Sequence, residues 1–364
     1  MCAMENQKKK VAKWRDIFKE LKDEVGKGVY SDDNPLPSEK RLGLRFGVSR
    51  ITVVRALDEL CHEGLVERVR GSGTYPTSLA QASAGRLGLI FPDLAMGEIF
   101  PLIFQELMRC AQRDGYTFVF GDIASADAQT RAHKACDVAR MFVRQRVAGV
   151  VLQPLAFLKT PERVTREIVT LFREAKIPVV LMDRNVETDG VACDFVGIDN
   201  LAAGRALGAH LVERGAKRIH FLMRPNCASV IRDRLDGVFS ALGERRPKDC
   251  AIVAEPTDEA ALAKVFGRRG RPDAVVCESD FVATQLRATL EKLGLSVPRD
   301  VRLAGFDDVR CASVMTPSLT TVHQPCEDLA RTAYQTLVER MRDPSLPVRR
   351  ILLPAPLVVR DSTR

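Results

Sequence analysis

The 364-residue chain has little that could hold a metal or a disulfide framework. Its ten cysteines stand singly with no Cys-x-x-Cys pair, and its five histidines are dispersed, none with a second ligand at helical spacing. That pattern predicts reduced, mostly buried thiols in a cytoplasm, with no zinc site. No cofactor is called for. No apolar run reaches the roughly 18–20 residues that span a bilayer, and the start, MCAMENQKKKVAKW, has no apolar stretch of the kind a secretion signal needs. The expectation is a soluble cytoplasmic protein without a membrane partner.

Catalytic patterns are missing as well. There is no Gly-x-Ser-x-Gly elbow. Gly71-Ser72-Gly73 and Gly85-Arg86-Leu87-Gly88 lack the spacing and the following Lys-Ser/Thr of a phosphate-cradling loop. Glu327-Asp328 and Asp307-Asp308 are adjacent pairs, not opposed carboxylates set for acid–base work. An enzyme is not expected. What remains is an ordinary globular composition, 46% hydrophobic and 28% charged, with a net charge of +8 and a pI near 9.0 that lean towards an anionic partner. A chain of this length holds about two or three domains.

The most informative stretch is Leu36 to Tyr75, LPSEKRLGLRFGVSRITVVRALDELCHEGLVERVRGSGTY. Ser38 can cap a first helix that carries Leu42 and Phe46 and stops at Gly47, suited to a left-handed end. Ser49 is placed to cap a second helix from Arg50 to His62, with Val53, Ala56, Leu57 and Leu60 on one stripe. Leu65 to Arg70 alternates like a strand, Gly71 to Gly73 is a turn, and Thr74-Tyr75 starts the return. Two capped helices, a tight turn and a basic hairpin read as a winged helix-turn-helix. With Val53, Leu57 and Leu60 inward, Ile51 and Arg55 fall almost opposite, with Thr52 beside them. Ser49 and Arg50 lie at the helix start, where free N–H groups attract phosphate. Arg70 tips the wing. Upstream, Trp14, Ile17, Phe18, Leu21 and Val25 predict a packing helix, preceded by a mobile, lysine-rich start to Lys10. Downstream, PTSLAQASAG is small and polar, a linker.

From Trp14 to Tyr75 the chain resembles the winged helix-turn-helix of the GntR family of bacterial transcription regulators. That resemblance implies a phosphate contact at Lys40, recognition-helix contacts at Ser49, Arg50 and Thr52, and a wing tip at Arg70-Gly71. Ile51 can pack on a thymine methyl. The family usually has arginine directly after the Thr-Val pair, where this chain has Val54 and then Arg55. Either the base contact has moved along the helix or the operator differs.

From Leu87 short apolar strands alternate with helical patterns, the signature of an open, doubly wound parallel α/β sheet. Candidate strands are 87–91, 117–120, 147–152, 178–182, 195–196, 218–223, 251–254, 274–277 and 302–305. Nine strands fit two similar lobes better than one domain. Ligands in such sheets sit beyond the carboxyl ends of the strands, so the residues of interest are Asp93, Glu98, Asp183, Arg184, Arg232, Ser279, Asp280, Asp307 and Asp308. Carboxylates and guanidinium forks suit a polyhydroxylated ligand. For Asp280, at a helix start, capping is an equal alternative, and Asp308 reads as structural or exposed. The basic run from Arg340 to Arg350, broken by two prolines, reads as a solvated connection.

RLGLIFPDLAMGEIFPLIFQEL, IPVVLMDRN, FVGIDNLAAGRALGAHLVERGAKRIHFL, IRDRLDGVFSAL, PDAVVCESDFVATQLRATLEKLGLSVPRDVRLAGFDD and TPSLTTVHQP resemble the effector domain of the LacI family, related to periplasmic sugar-binding proteins. Joined to a GntR-type head, this resembles the layout of bacterial arabinose repressors, and Glu98-Ile99-Phe100-Pro101 resembles their first loop. The resemblance implies that Arg232 holds a sugar oxygen, Asp307 a hydroxyl pair, Asp183 a further hydroxyl, and Ser279-Asp280 the other rim. Ser279 stands where many relatives have Asn, Cys326 stands at a place often aromatic, and no hinge helix precedes the domain. The expected organisation is a head at 1–75, a linker at 76–86 and an effector domain at 87–364. Its first lobe would cover about 87–195 plus 326–345, and its second about 196–325 plus the C-terminal end. The expected function is a homodimeric repressor of operator DNA controlled by a small sugar. A sugar-binding module without DNA work, or a sugar-metabolising enzyme, are the other classes; a gel shift with and without sugars separates all three.

Overall fold

The structure, a computed structural model, describes residues 2–26, 29–31, 34–69, 71–77, 85–92, 99–125, 127–156, 161–186, 193–243, 250–267 and 271–364, with the backbone alone over 2–13. Backbone packing divides the chain into two compact units, residues 1–88 with 111–119 and 142–149, and the remainder.

The first unit is built on three helices and a hairpin. Helix α1 runs Cys2–Gly26. The lysine-rich start forms its first turns from Cys2; no proline or glycine interrupts the run before Gly26, and Lys, Ala, Met, Glu and Gln are good helix formers. Helices α2 (Glu39–Phe46) and α3 (Arg50–His62) follow. The Ser38 hydroxyl accepts from the Arg41 N–H at 3.4 Å, and Gly47 closes α2 at φ 61°. Ser49 occupies the cap position of α3, but its hydroxyl makes no cap bond and pairs with the Thr52 hydroxyl at 2.9 Å. Ile17, Leu21 and Val25 meet Leu42, Val53, Ala56, Leu57, Leu60 and Val66 in one core. Strands β1 (Val66–Val69) and β2 (Gly73–Pro76) pair antiparallel, Val66 opposite Pro76 and Val69 opposite Gly73, which makes the wing. Of the expected linker, 78–84 lie outside the described residues.

The rest alternates strand and helix. In chain order come β3 (Arg86–Ile90), α4 (Ile99–Arg113), β4 (Thr117–Phe120), α5 (Ala128–Gln145), β5 (Gly149–Leu152), α6 (Pro161–Glu174), β6 (Val179–Met182) and β7 (Asp194–Ile198). Next come α7 (Asn200–Glu213), β8 (Ile219–Met223), α8 (Ser229–Ser240), β9 (Ala251–Val253), α9 (Glu259–Phe266), β10 (Ala274–Cys277), α10 (Asp280–Lys292), β11 (Arg302–Ala304) and α11 (Arg310–Val314). The chain ends with β12 (Thr321–Val322), α12 (Cys326–Arg342), β13 (Arg350–Leu353), β14 (Leu357–Val358) and a short 3-10 turn.

Two large sheets result, ordered β13-β7-β6-β5-β3-β4 and β11-β10-β8-β9, and β12 pairs antiparallel with β14 in a small one. In each large sheet, the chain starts in the middle, goes to one side and returns past its start, so the order reverses between β3 and β5 and between β8 and β10. Those reversals are the switch points where crossovers diverge and leave a crevice at the strands' carboxyl ends. The mixed α/β architecture expected from the sequence is the one observed.

Three details differ. Strand β7 runs to Ile198 in the first sheet, so the expected lobe border at 195/196 falls inside it. Strand β13 also pairs with β7, which puts part of the C-terminal end in the first sheet and not the second. The basic run is not a solvated connection either. Arg340 grips the buried Asp194 carboxylate through Nε at 2.9 Å and Nη2 at 3.0 Å, and the Arg349 N–H adds a third bond at 2.8 Å. A buried carboxylate is tolerated only when so matched, and the pairing delivers β13 to its place.

Candidate functional site

The head carries a polar and basic surface on α3. The inward stripe is fixed by Val53, Ala56, Leu57 and Leu60, which turns the helix start outward. Ile51 is 80% exposed, the largest exposure among the exposed large hydrophobics, an arrangement with no packing benefit. The Arg50 side chain is equally open and its Nε reaches Glu39 of α2 at 2.7 Å. Lys40 and Ser49 are exposed and Thr52 half-buried. Arg55 is exposed too, and its guanidinium stacks over the Trp14 ring of α1 at 4.8 Å. Gly71 sits at the wing turn with φ 81°, while Arg70 lies outside the described residues.

In the second unit, polar side chains gather at the carboxyl ends of both sheets. Asp183 follows β6, is buried, and adopts a left-handed φ of 67°. It accepts from Gln153 Nε2 at 3.1 Å and faces Arg184 Nε at 3.4 Å. Gln153 follows β5, at the first switch point, and is fully buried; its Oε1 has no partner among the described residues. From the second sheet, Asp307 follows β11 with φ 115° and accepts from Gln324 Nε2 at 2.7 Å. Gln324 is likewise buried and its Oε1 unmatched. Positive φ at non-glycine residues costs about 1–3 kcal/mol each and collects at functional sites.

Arg234 ties this cluster together. Its Nε donates to Asn200 Oδ1 at 2.8 Å and its Nη1 to the Glu278 carbonyl at 2.7 Å, and the guanidinium lies 3.5 Å from the Asp307 carboxylate and 4.6 Å above the Phe306 ring. Glu278, after β10 at the second switch point, is clasped by Arg224 through Nε at 2.6 Å and the backbone N–H at 2.9 Å. Burial pushes the Asp307 carboxyl up to about 6, with Arg234 and Gln324 holding it down and Asp183 and Glu278 raising it. Burial with repulsion from Asp307 takes Asp280 further, to about 8, against bonds from Thr321 and the Val309 N–H. Burial, Asp307 and Asp183 together push the Cys326 thiol up to about 12, so it is an inert lining group. A cavity of about 400 Å³ shares Asp307, Gln324 and Cys326 with this cluster and extends between α4 and α12.

Several expected ligand residues are not where the sequence reading put them. Arg232 is exposed, because α8 buries Val230, Ile231, Arg234, Leu235 and Val238 and so turns position 232 outward. Ser279 spends its hydroxyl capping α10, accepting from the Val282 N–H at 3.3 Å. Asp280 does not cap; it is fully buried, with Oδ1 bonded by Thr321 at 2.6 Å and Oδ2 by the Val309 N–H at 3.1 Å. Asp308, expected to be structural or exposed, is held by Arg360 and His323. Asp93 and Glu98 lie outside the described residues. Sequence reasoning missed Arg234, Gln153, Gln324, Asn200 and Glu278. Gln153 and Glu278 follow strands and were open to the same rule that picked Asp183. Arg234 follows Val230 and Ile231 at four and three, the spacing of the buried stripe.

Among the described residues no group of three or more His, Cys, Asp or Glu could hold a metal ion, and no helix is long and apolar enough to cross a membrane. The profile of bacterial regulatory proteins of the gntR family matches residues 13–75, and that of the periplasmic binding protein-like domain matches residues 209–363. The arabinose metabolism transcriptional repressor of Geobacillus stearothermophilus is 25% identical over 98% of this chain and 99% of its own length. The HTH-type transcriptional repressor PurR of Shigella dysenteriae serotype 1 is 30% identical over 65% of this chain and 69% of its own length. A LacI family transcriptional regulator from Enterococcus faecium, solved with bound ribose, superposes with a TM-score of 0.63 over 76% of this chain and 98% of that one, at 21% identity. The chain therefore belongs to the bacterial transcription regulators that join a GntR-type winged helix-turn-helix to a LacI-type, periplasmic-binding-protein-like effector domain.

Proposed function

We propose that this regulator is a homodimeric repressor whose operator affinity is set by a small sugar held at the carboxyl ends of its two sheets. The start of α3 enters the major groove with Ser49, Arg50, Ile51 and Thr52, Lys40 takes a phosphate, and the wing follows at Gly71. Two heads on a two-fold axis read a near-palindrome. The effector is bound by Asp183, Arg184, Arg234 and Asp307.

The single observation that carries this reading is the Arg234–Asp307 pair. A buried guanidinium faces a half-buried carboxylate that stands on left-handed backbone, with unmatched amide oxygens of Gln153 and Gln324 in the same cluster. Nothing in folding alone calls for that concentration of polar groups. Support for a sugar comes from the arabinose and ribose named for two of its relatives. A ligand shifts operator affinity only by its differential affinity for two states, and couplings of about 1–3 kcal/mol are typical.

The test is a gel shift on fragments from upstream of its own gene, with and without L-arabinose, D-ribose and other free sugars. A retarded band that one sugar alters supports the reading. No shift on any fragment at low ionic strength, or a shift that every sugar leaves unchanged, refutes it.

A further inference from the structure

Resting on that reading, we infer that the effector site selects an uncharged, hydroxyl-rich ligand and rejects phosphorylated sugars and sugar acids. Gln153 and Gln324 are 0% and 2% exposed, and each spends one amide N–H on an aspartate, Asp183 and Asp307. Each keeps a second N–H, and its carboxamide oxygen, an acceptor only, has no partner among the described residues. Asp183 and Asp307 are themselves acceptors. Unfilled acceptors buried in this way are costly unless something donates to them, and a ring of hydroxyl groups supplies donors in pairs.

The cations point the same way. Each arginine in the cluster is already matched by a carboxylate: Arg234 by Asp307 at 3.5 Å, Arg224 by Glu278 at 2.6 Å, Arg184 by Asp183 at 3.4 Å. Arg234 also commits Nε and Nη1 to Asn200 and to the Glu278 carbonyl. Asp280 adds a further buried carboxyl beside Asp307. A phosphate or carboxylate placed here would meet acceptor oxygens and acidic groups, and would have to break an existing ion pair to find a cation.

Isothermal titration of the full chain with L-arabinose and D-ribose, against their 5-phosphates and their aldonic acids, tests this. The free sugars are expected to bind at least about a hundredfold more tightly than either charged form. Gln153→Met and Gln324→Met keep the side-chain length but remove the acceptor together with the N–H that serves the neighbouring aspartate, so each is expected to lower the melting temperature and, in the folded variant, to weaken sugar binding about tenfold. A phosphorylated or acid sugar binding as tightly as the free one overturns the inference while leaving a sugar-responsive regulator intact. Absence of binding by every sugar, charged or neutral, refutes the inference and the function it rests on together.

Discussion

Replacing Arg234 by methionine is the sharpest perturbation available, because its cost depends on pH in a direction the geometry fixes. Methionine keeps the bulk of the stem but abandons four partners: Asn200 Oδ1, the Glu278 carbonyl, the Asp307 carboxylate and the Phe306 face. The two lost hydrogen bonds and the lost stacking amount to about 1–3 kcal/mol at any pH. The ion pair is different. Asp307 titrates at about 6, raised by burial and held down first by Arg234; without the guanidinium it rises further. Below pH 6 the carboxyl is neutral in both proteins and the missing charge costs nothing. Above it, the parent holds a paired charge, and the variant must bury that charge alone or keep a proton the unfolded chain has released. That penalty grows by about 1.4 kcal/mol per pH unit, so the variant loses about 2–3 kcal/mol more at pH 8 than at pH 6 or below. The total at pH 8, about 3–6 kcal/mol, covers the range found on breaking buried ion pairs. Urea unfolding at pH 5 and pH 8 measures it, and adding Asp307→Asn to Arg234→Met is expected to recover the pH-dependent part. Equal losses at both pH values, with the two substitutions simply additive, would refute the coupling.

Three further outcomes follow from the same structure. Asp280, pushed up to about 8, holds a proton that the unfolded chain has lost, so its contribution to stability falls by as much as about 1.4 kcal/mol per unit as pH rises from about 4 to 8. Asp280→Asn, whose amide can serve Thr321 and whose oxygen can serve the Val309 N–H, is expected to flatten the melting-temperature profile over that range; a profile as steep as the parent's counts against it. Arg50→Ala removes only an exposed pair with Glu39, so it leaves the melting temperature unchanged, yet it is expected to weaken operator binding by about 1–3 kcal/mol and relax base choice in fluorescence anisotropy. Unchanged sequence preference would remove Arg50 from the readout. Gly204→Ala places a Cβ 2.3 Å from the Arg234 carbonyl oxygen, so α7 and α8 must separate. The expected cost is about 1–3 kcal/mol in thermal unfolding, with weaker sugar binding because α8 carries Arg234. Wild-type stability in that variant would mean the helices pack more loosely than described.

Much of the fold was legible because its elements are periodic. The α3 stripe and the β3, β4, β8 and β10 runs are written in spacings of three and four or in continuous apolar segments. Strands β12 and β14 were not, since two residues carry no period. Strand β13 was hidden behind charge: Arg349 and Arg350 look solvent-bound until Asp194, some 150 residues away in sequence, is brought beside Arg340 and Arg349. The ring that Trp14 supplies for Arg55 to stack on was hidden for a similar reason, as no spacing rule foretells it.

The site residues show why some assignments survive error and others do not. A residue just past a strand stays at that strand's carboxyl end if the boundary moves by one, so Asp183 reaches the cluster from β6, which ends at Met182 as expected, and Asp307 reaches it although β11 ends one residue before where the sequence puts it. On a helix each step turns about 100°. Arg232 and Arg234, two steps apart, therefore face nearly opposite ways, and choosing between them requires the phase of the whole helix. That phase was available in Val230, Ile231, Leu235 and Val238, all buried, and it selects Arg234. The same reasoning makes Ser49, Arg50 and Ile51 a firmer group than any one of them, because four buried residues on α3 fix their phase together.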